Sequence, residues 1–328
     1  MSQPLQVTFW DVGQGDCSTI TLPDGSIVII DTGPRGSPLV DWLNDHPKEI
    51  HSLVLTHNDA DHVGSLPALV GAFKSRIKSL FMLVDRPVGD RVFEKTFRCA
   101  YEGEAFGCYK IQRLEVGAII WHDDELGAEL KVVYPSFSGN VNASSPNSAS
   151  GIICLFIKGK IQVVWPGDST LGRVALEVGN HQPHVMVGPH HGAPGDFKKS
   201  TALDSLKSID ASFAYISAAT KNKYMHPRPG YLKRLEITGC KVRCSQLTMA
   251  CDRSSVLNGK PVMMNHLVLG LRPPRTRGVA CRGIWQLTWD GNEFNSDGFD
   301  GEHLQRISNL NRPQCLKGRT FFDSTSSG

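Results

Sequence analysis

The 328 residues are 40% hydrophobic and 20% charged with a formal net charge of +3, an ordinary balance for a globular protein and one that excludes a fibrous or strongly polyanionic chain. No stretch approaches the roughly 18 consecutive apolar residues of a membrane helix. Met1-Ser2-Gln3-Pro4 has neither a basic nor an apolar leader segment, so the expectation is a cytoplasmic protein with no membrane partner. Charge is unevenly spread: 18 Lys and Arg stand against 24 Asp and Glu up to Thr220, but 17 against 8 from Lys221 onward. That asymmetry fits an anionic partner for the C-terminal third as well as it fits solvated basic loops. Nine cysteines, an odd number in a long chain, suit reduced thiols or metal ligands better than a disulfide framework.

In chain order, Leu5–Phe9 alternates as a half-buried strand, and Asp11-Val12-Gly13-Gln14-Gly15-Asp16 makes a glycine turn into a second strand, Ser18–Leu22. Pro23-Asp24-Gly25 turns into Ser26–Ile30, apolar throughout and so covered on both faces, which ends at Asp31-Thr32-Gly33. Helix 38–46 and strand 52–55 lead to Thr56-His57-Asn58-Asp59-Ala60-Asp61-His62-Val63-Gly64, followed by a helix over about 64–75. Strand 80–84, helix 91–106 and strand 130–134 come next. The Ser/Asn/Gly/Pro-rich span 136–150 reads as loop. Strands 152–157 and 161–165 flank Gly159, and the second ends in Gly167-Asp168. Helix 171–180, strand 185–187 and Pro189-His190-His191-Gly192 follow. Strand 212–217, the loop Lys221–Pro227, helix 231–238 and strand 241–245 complete the regular part. A domain over 1–253 and a basic extension over 254–328 are expected, with a last strand at 284–289 and a disordered end.

Two histidines and two carboxylates within six positions, delivered by a buried strand, exceed what a helix cap at Asp61 would need. Imidazole and carboxylate together suit Zn, Mn or Fe, and the geometry suits two adjacent divalent cations better than one. Asp31, Asp168, His190, His191 and His226 also sit at strand ends or in loops that follow them, which argues for one shared site. Cys240, Cys244, Cys251, Cys281 and His266 form no CxxC pair. Buried thiols explain them more simply than a structural zinc does.

These motifs, in this order and across about three quarters of the chain, resemble the metallo-β-lactamase fold superfamily. Within it they are most similar to the hydrolase domain of ComEC-type competence proteins and its free-standing relatives. The resemblance implies an αββα four-layer sandwich, of class α/β, with a dinuclear Zn or Mn site at one edge. His57 and Asp59 would hold the first metal. Asp61, His62 and one of the paired histidines would hold the second, with Asp168 bridging. His191 is favoured as the ligand and His190 as a substrate-facing group, although sequence does not separate them. Asp16 and Asp31 would orient imidazoles and loop amides.

Two departures stand out. Asp59 replaces a histidine common in the superfamily, and the isolated histidine before the Gly-Asp strand is missing; Asn147 or a neighbouring serine would fill that gap. The oxygen-rich first site moves the expectation toward Mn and away from β-lactam hydrolysis. Two cations roughly 3.5–4 Å apart suit in-line displacement at phosphorus. The expected activity is therefore phosphodiester hydrolysis, in DNA or another nucleic acid. Asp61 counts among the catalytic residues as well as the ligands, and His190 or His226 would protonate the leaving oxygen. Asn222, Tyr224, Arg275 and Arg277 are expected to bind substrate. A small-molecule phosphoesterase and a catalytically silent binding protein are the competing readings.

Overall fold

A computed structural model describes residues 3–84, 91–143, 145–193, 201–249, 251, 278–310 and 313. The elements are β1 (Gln6–Phe9), β2 (Cys17–Thr21), β3 (Ile27–Thr32), α1 (Pro38–Asp45), β4 (Ile50–Val54), α2 (Ala60–Val63), α3 (Leu66–Phe73), β5 (Ile77–Met82), α4 (Arg91–Ala105) and β6 (Lys110–Arg113). Next come β7 (Ile119–Asp123), β8 (Ala128–Tyr134), α5 (Phe137–Val141), α6 (Pro146–Ala149), β9 (Ile152–Ile157), β10 (Lys160–Trp165), α7 (Leu171–Val178) and β11 (Val185–Val187). The chain continues through α8 (Thr201–Ile209), β12 (Phe213–Ile216), α9 (Pro229–Ile237), β13 (Lys241–Cys244), β14 (Trp285–Trp289), β15 (Phe294–Ser296) and α10 (Asp300–Ser308).

Two mixed sheets result. The first has eight strands in the order β15-β14-β1-β2-β3-β4-β5-β6, and the second has seven in the order β13-β12-β11-β10-β9-β8-β7. Apolar residues at consecutive strand positions decide the layering, because neighbouring side chains on a strand point to opposite faces. On β3, Val28 and Ile30 enter the core between the sheets, while Ile27 and Ile29 face the helices outside the first sheet. On β9, Ile153 and Leu155 face inward and Ile152 and Cys154 face α7–α9. Strands buried on both faces are covered by the other sheet on one face and by helices on the other, and this gives the αββα sandwich.

Several expectations shift. The helix expected over about 64–75 is α3, and a separate short α2 precedes it, the two joined through Gly64, where a Cβ would lie 2.4 Å from the Ala60 carbonyl oxygen. The span 136–150 is not loop alone. It holds α5 and α6, the latter started by a Ser145–Ser148 capping box with proline in the first turn. β6, β7, α8, β15 and α10 were not anticipated. β6 and β7 carry charged or half-exposed edge residues, and β15 has only three residues. The strand at the C-terminal end does not stand apart from the first domain. β14 pairs antiparallel with β1, and the fully buried Trp285 ring stacks on Phe9 at 5.5 Å. β14 and β15 thus complete the first sheet. Among the described residues no helix is long and apolar enough to cross a membrane.

Candidate metal centre

The C-terminal ends of parallel strands in both sheets meet at one edge, the usual ligand-bearing end of such sheets. β3 delivers Asp31, β4 delivers Thr56 and His57, and α2 carries Asp61 and His62. From the second sheet come Asp168 after β10, His190 and His191 after β11, and His226 in the loop after β12. The turn between β1 and β2 adds Asp16. Gly15 is needed there, since a Cβ would sit 2.1 Å from the Asp61 carbonyl oxygen, and its φ of +127° is open mainly to glycine.

Asp168 is central. Its carboxylate oxygens lie 3.2 Å from His62 Nε2, 3.6 Å from His57 Nε2, 3.6 Å from His191 Nε2 and 3.4 Å from His190 Nε2. Donor atoms of His57, His62 and Asp168 form one group compact enough for a cation, and those of Asp61, His62 and His191 form a second. Asp16, Asp31 and His62 form a third compact group, in which Asp31 is already committed to hydrogen bonds. Asp59 stands further out, with Oδ2 3.8 Å from His57 Nε2 and a side chain 37% exposed. The paired histidines separate clearly. His191 is buried, with Nε2 3.4 Å from Asp61, while the His190 side chain is 39% exposed at the rim. Both occupy left-handed backbone, as does Asp31, and such strain of about 1–3 kcal/mol per residue persists only where the surroundings enforce it.

Hydrogen bonds set which ring nitrogens face the pocket. Asp31 accepts from the Thr56 amide at 2.8 Å, the Thr56 hydroxyl at 2.7 Å and His62 Nδ1 at 2.8 Å. With its hydroxyl proton given to a carboxylate, Thr56 Oγ1 accepts from His57 Nδ1 at 3.1 Å. Both rings therefore direct Nε2 inward. Ser150 Oγ lies 3.3 Å from the same His57 nitrogen and accepts the Asp168 amide at 3.0 Å. Gly167 leaves room for this, because a Cβ there would meet Ser150 Oγ at 2.3 Å.

The electrostatics are those of interleaved charges. Burial alone would raise the Asp168 carboxyl, but the His62, His57 and His191 rings hold it well below the ordinary range. Burial opposes a charged His62, yet Asp168 and Asp31 hold it well above its usual value. His191, likewise buried, is raised to about 10 by Asp16 and Asp168. His226 moves the other way, to about 4, through burial and then the nearby His191 and His190. Burial likewise lowers His190, although Asp168 opposes it.

The donor set fits divalent cations. Among the described residues, the buried His57 Nε2 makes no hydrogen bond. Such an orphan costs about 1–3 kcal/mol unless something occupies the pocket. Imidazole nitrogens aimed inward beside several carboxylates are what Zn or Mn takes.

Other sequence-derived candidates fall elsewhere. Asn147 Nδ2 is 3.4 Å from His190 Nε2, so it reaches the rim histidine, while Ser150 is the residue beside His57. Asn222, expected to bind substrate, braces its own loop. Its Nδ2 donates to the Ala219 and His226 carbonyls and its Oδ1 accepts the His226 amide, which spends the side chain within the loop. Tyr224 is exposed beside His226. Arg275, Arg277 and His266 lie outside the described residues. Cys240, Cys244, Cys251 and Cys281 are buried in the apolar layer outside the second sheet, and among the described residues no cysteine joins a metal-competent group. Sequence reasoning gave Thr56 no role and did not single out Ser150. For Thr56 the available signal was its place next to His57, while Ser150 carried no local signal.

Residues 10–78 match the family described as "Metallo-beta-lactamase superfamily". The chain is 26% identical over 264 residues to "ComE operon protein 3" of Bacillus subtilis (strain 168), covering 72% of this chain and 31% of that protein. It is 24% identical over 251 residues to "Competence protein ComA" of Neisseria gonorrhoeae, covering 74% and 31%. It thus spans less than a third of the length of these curated relatives. Among solved structures, Igni18, a novel metallo hydrolase from Ignicoccus hospitalis KIN4/I, shares 18% identity at a TM-score of 0.49, over 73% of this chain and 94% of that one. Motif order, the two-sheet sandwich and the family match over residues 10–78 together make this chain similar to the metallo-β-lactamase superfamily, with competence proteins among the proteins it resembles.

Proposed function

We propose that this protein hydrolyses phosphodiester bonds in nucleic acid with the help of two divalent cations, Zn or Mn. The observation that carries the reading is the convergence of two donor groups beside Asp168, whose carboxylate lies within 3.6 Å of the His57, His62 and His191 Nε2 atoms, with the buried His57 Nε2 making no hydrogen bond among the described residues. His57, Asp59 and Asp168 would hold one cation. Asp61, His62 and His191 would hold the other, with Asp168 shared. When bound, such a pair makes water acidic enough to attack at neutral pH and neutralises charge on phosphoryl oxygens.

The chain's own residues prepare that chemistry. Asp31 and Thr56 fix the His62 and His57 rings so that Nε2 faces inward and no ring reorientation is needed on binding. Asp16 Oδ1, 3.5 Å from His191 Nδ1, steadies the third ring. His190 and His226 stand at the open side, their rings edge to face at 5.6 Å. Both are neutral in the free chain, and an incoming phosphodiester anion favours their protonated forms. Either is then placed to hydrogen-bond and protonate the leaving oxygen. The similarity to competence proteins supports nucleic acid as the substrate class.

The test is metal analysis of the purified protein coupled to a Mn-supplemented assay on single-stranded DNA, duplex DNA and bis-p-nitrophenyl phosphate. Two cations per chain and cleavage of a DNA substrate are expected. Full metal content with turnover of the small ester alone would move the reading to a small-molecule phosphoesterase. A protein that binds no divalent cation would remove the hydrolytic reading.

A further inference from the structure

At the mouth of the site, one loop is built to hold an aromatic side chain in solvent. The Asn222 side chain closes the loop onto Ala219 and His226 through three hydrogen bonds, and the Met225 amide donates to the Asn222 carbonyl at 3.3 Å. Met225 is driven into left-handed backbone, φ +57°, which is strained for a residue other than glycine. Despite this bracing, Tyr224 is 50% exposed and Met225 is 66% exposed. A rigid backbone that displays two adjacent apolar side chains gains nothing in folding from that display.

The exposed ring is aligned with the centre. Tyr224 stacks on His226 at 5.7 Å with an interplanar angle of 27°, His226 meets His190 at 5.6 Å, and His190 Nε2 lies 3.4 Å from Asp168. Lys223 Nζ sits 4.8 Å from the Tyr224 ring centroid. An exposed aromatic ring with a cation over it, two rings from the donor cluster, matches one nucleotide unit: a planar base to stack and a phosphate for the lysine to neutralise. A similar pair occurs on the other element that reaches His190. Asn147 of α6 lies 3.4 Å from that ring, α5 packs on α6, and α5 carries the 53% exposed Phe137 with Arg113 5.5 Å from its ring.

We propose that Tyr224, flanked by Lys223 and Met225, is a stacking platform for an unpaired nucleobase, so that this site selects single-stranded nucleic acid over duplex. The proposal rests on the phosphodiesterase reading and narrows its substrate. In a duplex both faces of an internal base are covered by neighbours, and the platform has nothing to stack on. In a single strand the base is available, and stacking strength is largely independent of sequence.

Binding separates this from catalysis. With the full chain in EDTA, fluorescence anisotropy is measured on a labelled single-stranded oligonucleotide, its duplex, and an abasic oligonucleotide with the same phosphates. The wild type should bind the base-bearing single strand about 5- to 100-fold more tightly than the abasic strand, and more tightly than the duplex. Tyr224→Ala should collapse the base-bearing to abasic ratio toward one, while Tyr224→Trp and Tyr224→Phe retain it, which also controls for folding of the loop. Equal affinity of the wild type for base-bearing and abasic strands, a preference for duplex, or a Tyr224→Ala protein that keeps the ratio would each overturn the platform. Failure of the phosphodiesterase reading looks different: the ratio is present and depends on Tyr224, but no strand is cut when Mn or Zn is restored.

Discussion

The two donor groups around Asp168 are built to different standards. In the group of Asp61, His62 and His191, each imidazole has a carboxylate at its far nitrogen: Asp31 at 2.8 Å from His62 Nδ1 and Asp16 at 3.5 Å from His191 Nδ1. In the group of His57, the far nitrogen meets only the hydroxyls of Thr56 and Ser150, and the further carboxylate, Asp59, is partly exposed at 3.8 Å. A carboxylate behind an imidazole raises its basicity and fixes its ring, whereas a hydroxyl mainly fixes the ring. The difference teaches that the rings of His62 and His191 are backed by carboxylates, whereas the ring of His57 is backed by hydroxyls alone.

Asp168→Ala should have the largest effect, since it touches both groups. Metal content should fall toward zero and turnover should vanish, as read by elemental analysis and a Mn-supplemented assay; two retained cations with near-normal rate would remove Asp168 from the centre. Next in size is a paired comparison of His62→Ala with His57→Ala. His62 belongs to both compact groups, so its loss should strip more metal and more activity than the loss of His57. Equal occupancies in the two variants would erase the proposed asymmetry. The smallest effects come from the groups behind the rings. Asp31→Asn should weaken metal binding about 10- to 100-fold, the usual range for such supporting partners. Ser150→Ala should cost less than about tenfold, because Thr56 still fixes His57 Nδ1. Titration of the apo-protein with Mn distinguishes them, and a Ser150→Ala loss as large as that of Asp31→Asn would make the hydroxyl-backed site the better organised one.

Much of the centre was legible because its donors cluster in sequence. Thr56–Gly64 places four titratable groups in one strand-to-helix passage, and the strand-end positions of Asp31, Asp168 and His191 follow from hydrophobic runs that stop abruptly. Less legible were groups whose roles depend on contacts far along the chain. Ser150 lies 93 positions from the His57 it touches, and nothing local distinguishes it from the other serines in its span. Asn222 read as a substrate group because a polar loop beside a histidine suggests recognition; its hydrogen bonds to its own loop became visible only in three dimensions.

The C-terminal segment shows the same boundary on a larger scale. Its charge and weak periodicity described an appendage, yet Trp285 is fully buried and Arg282 is held by Asp297 and Asp300. The pairing of β14 with β1 joins residues some 280 positions apart, and no local pattern encodes which edge strand a late strand will find. Sequence by itself determined the residue types at each strand end and the two-sided burial of the central strands, because side-chain alternation and ligand chemistry act over a few positions. Only the tertiary structure decided that His191 enters the cluster while His190 stays at the rim and that Asp59 stands off, because those outcomes depend on where backbone from two different sheets is brought within a few ångströms.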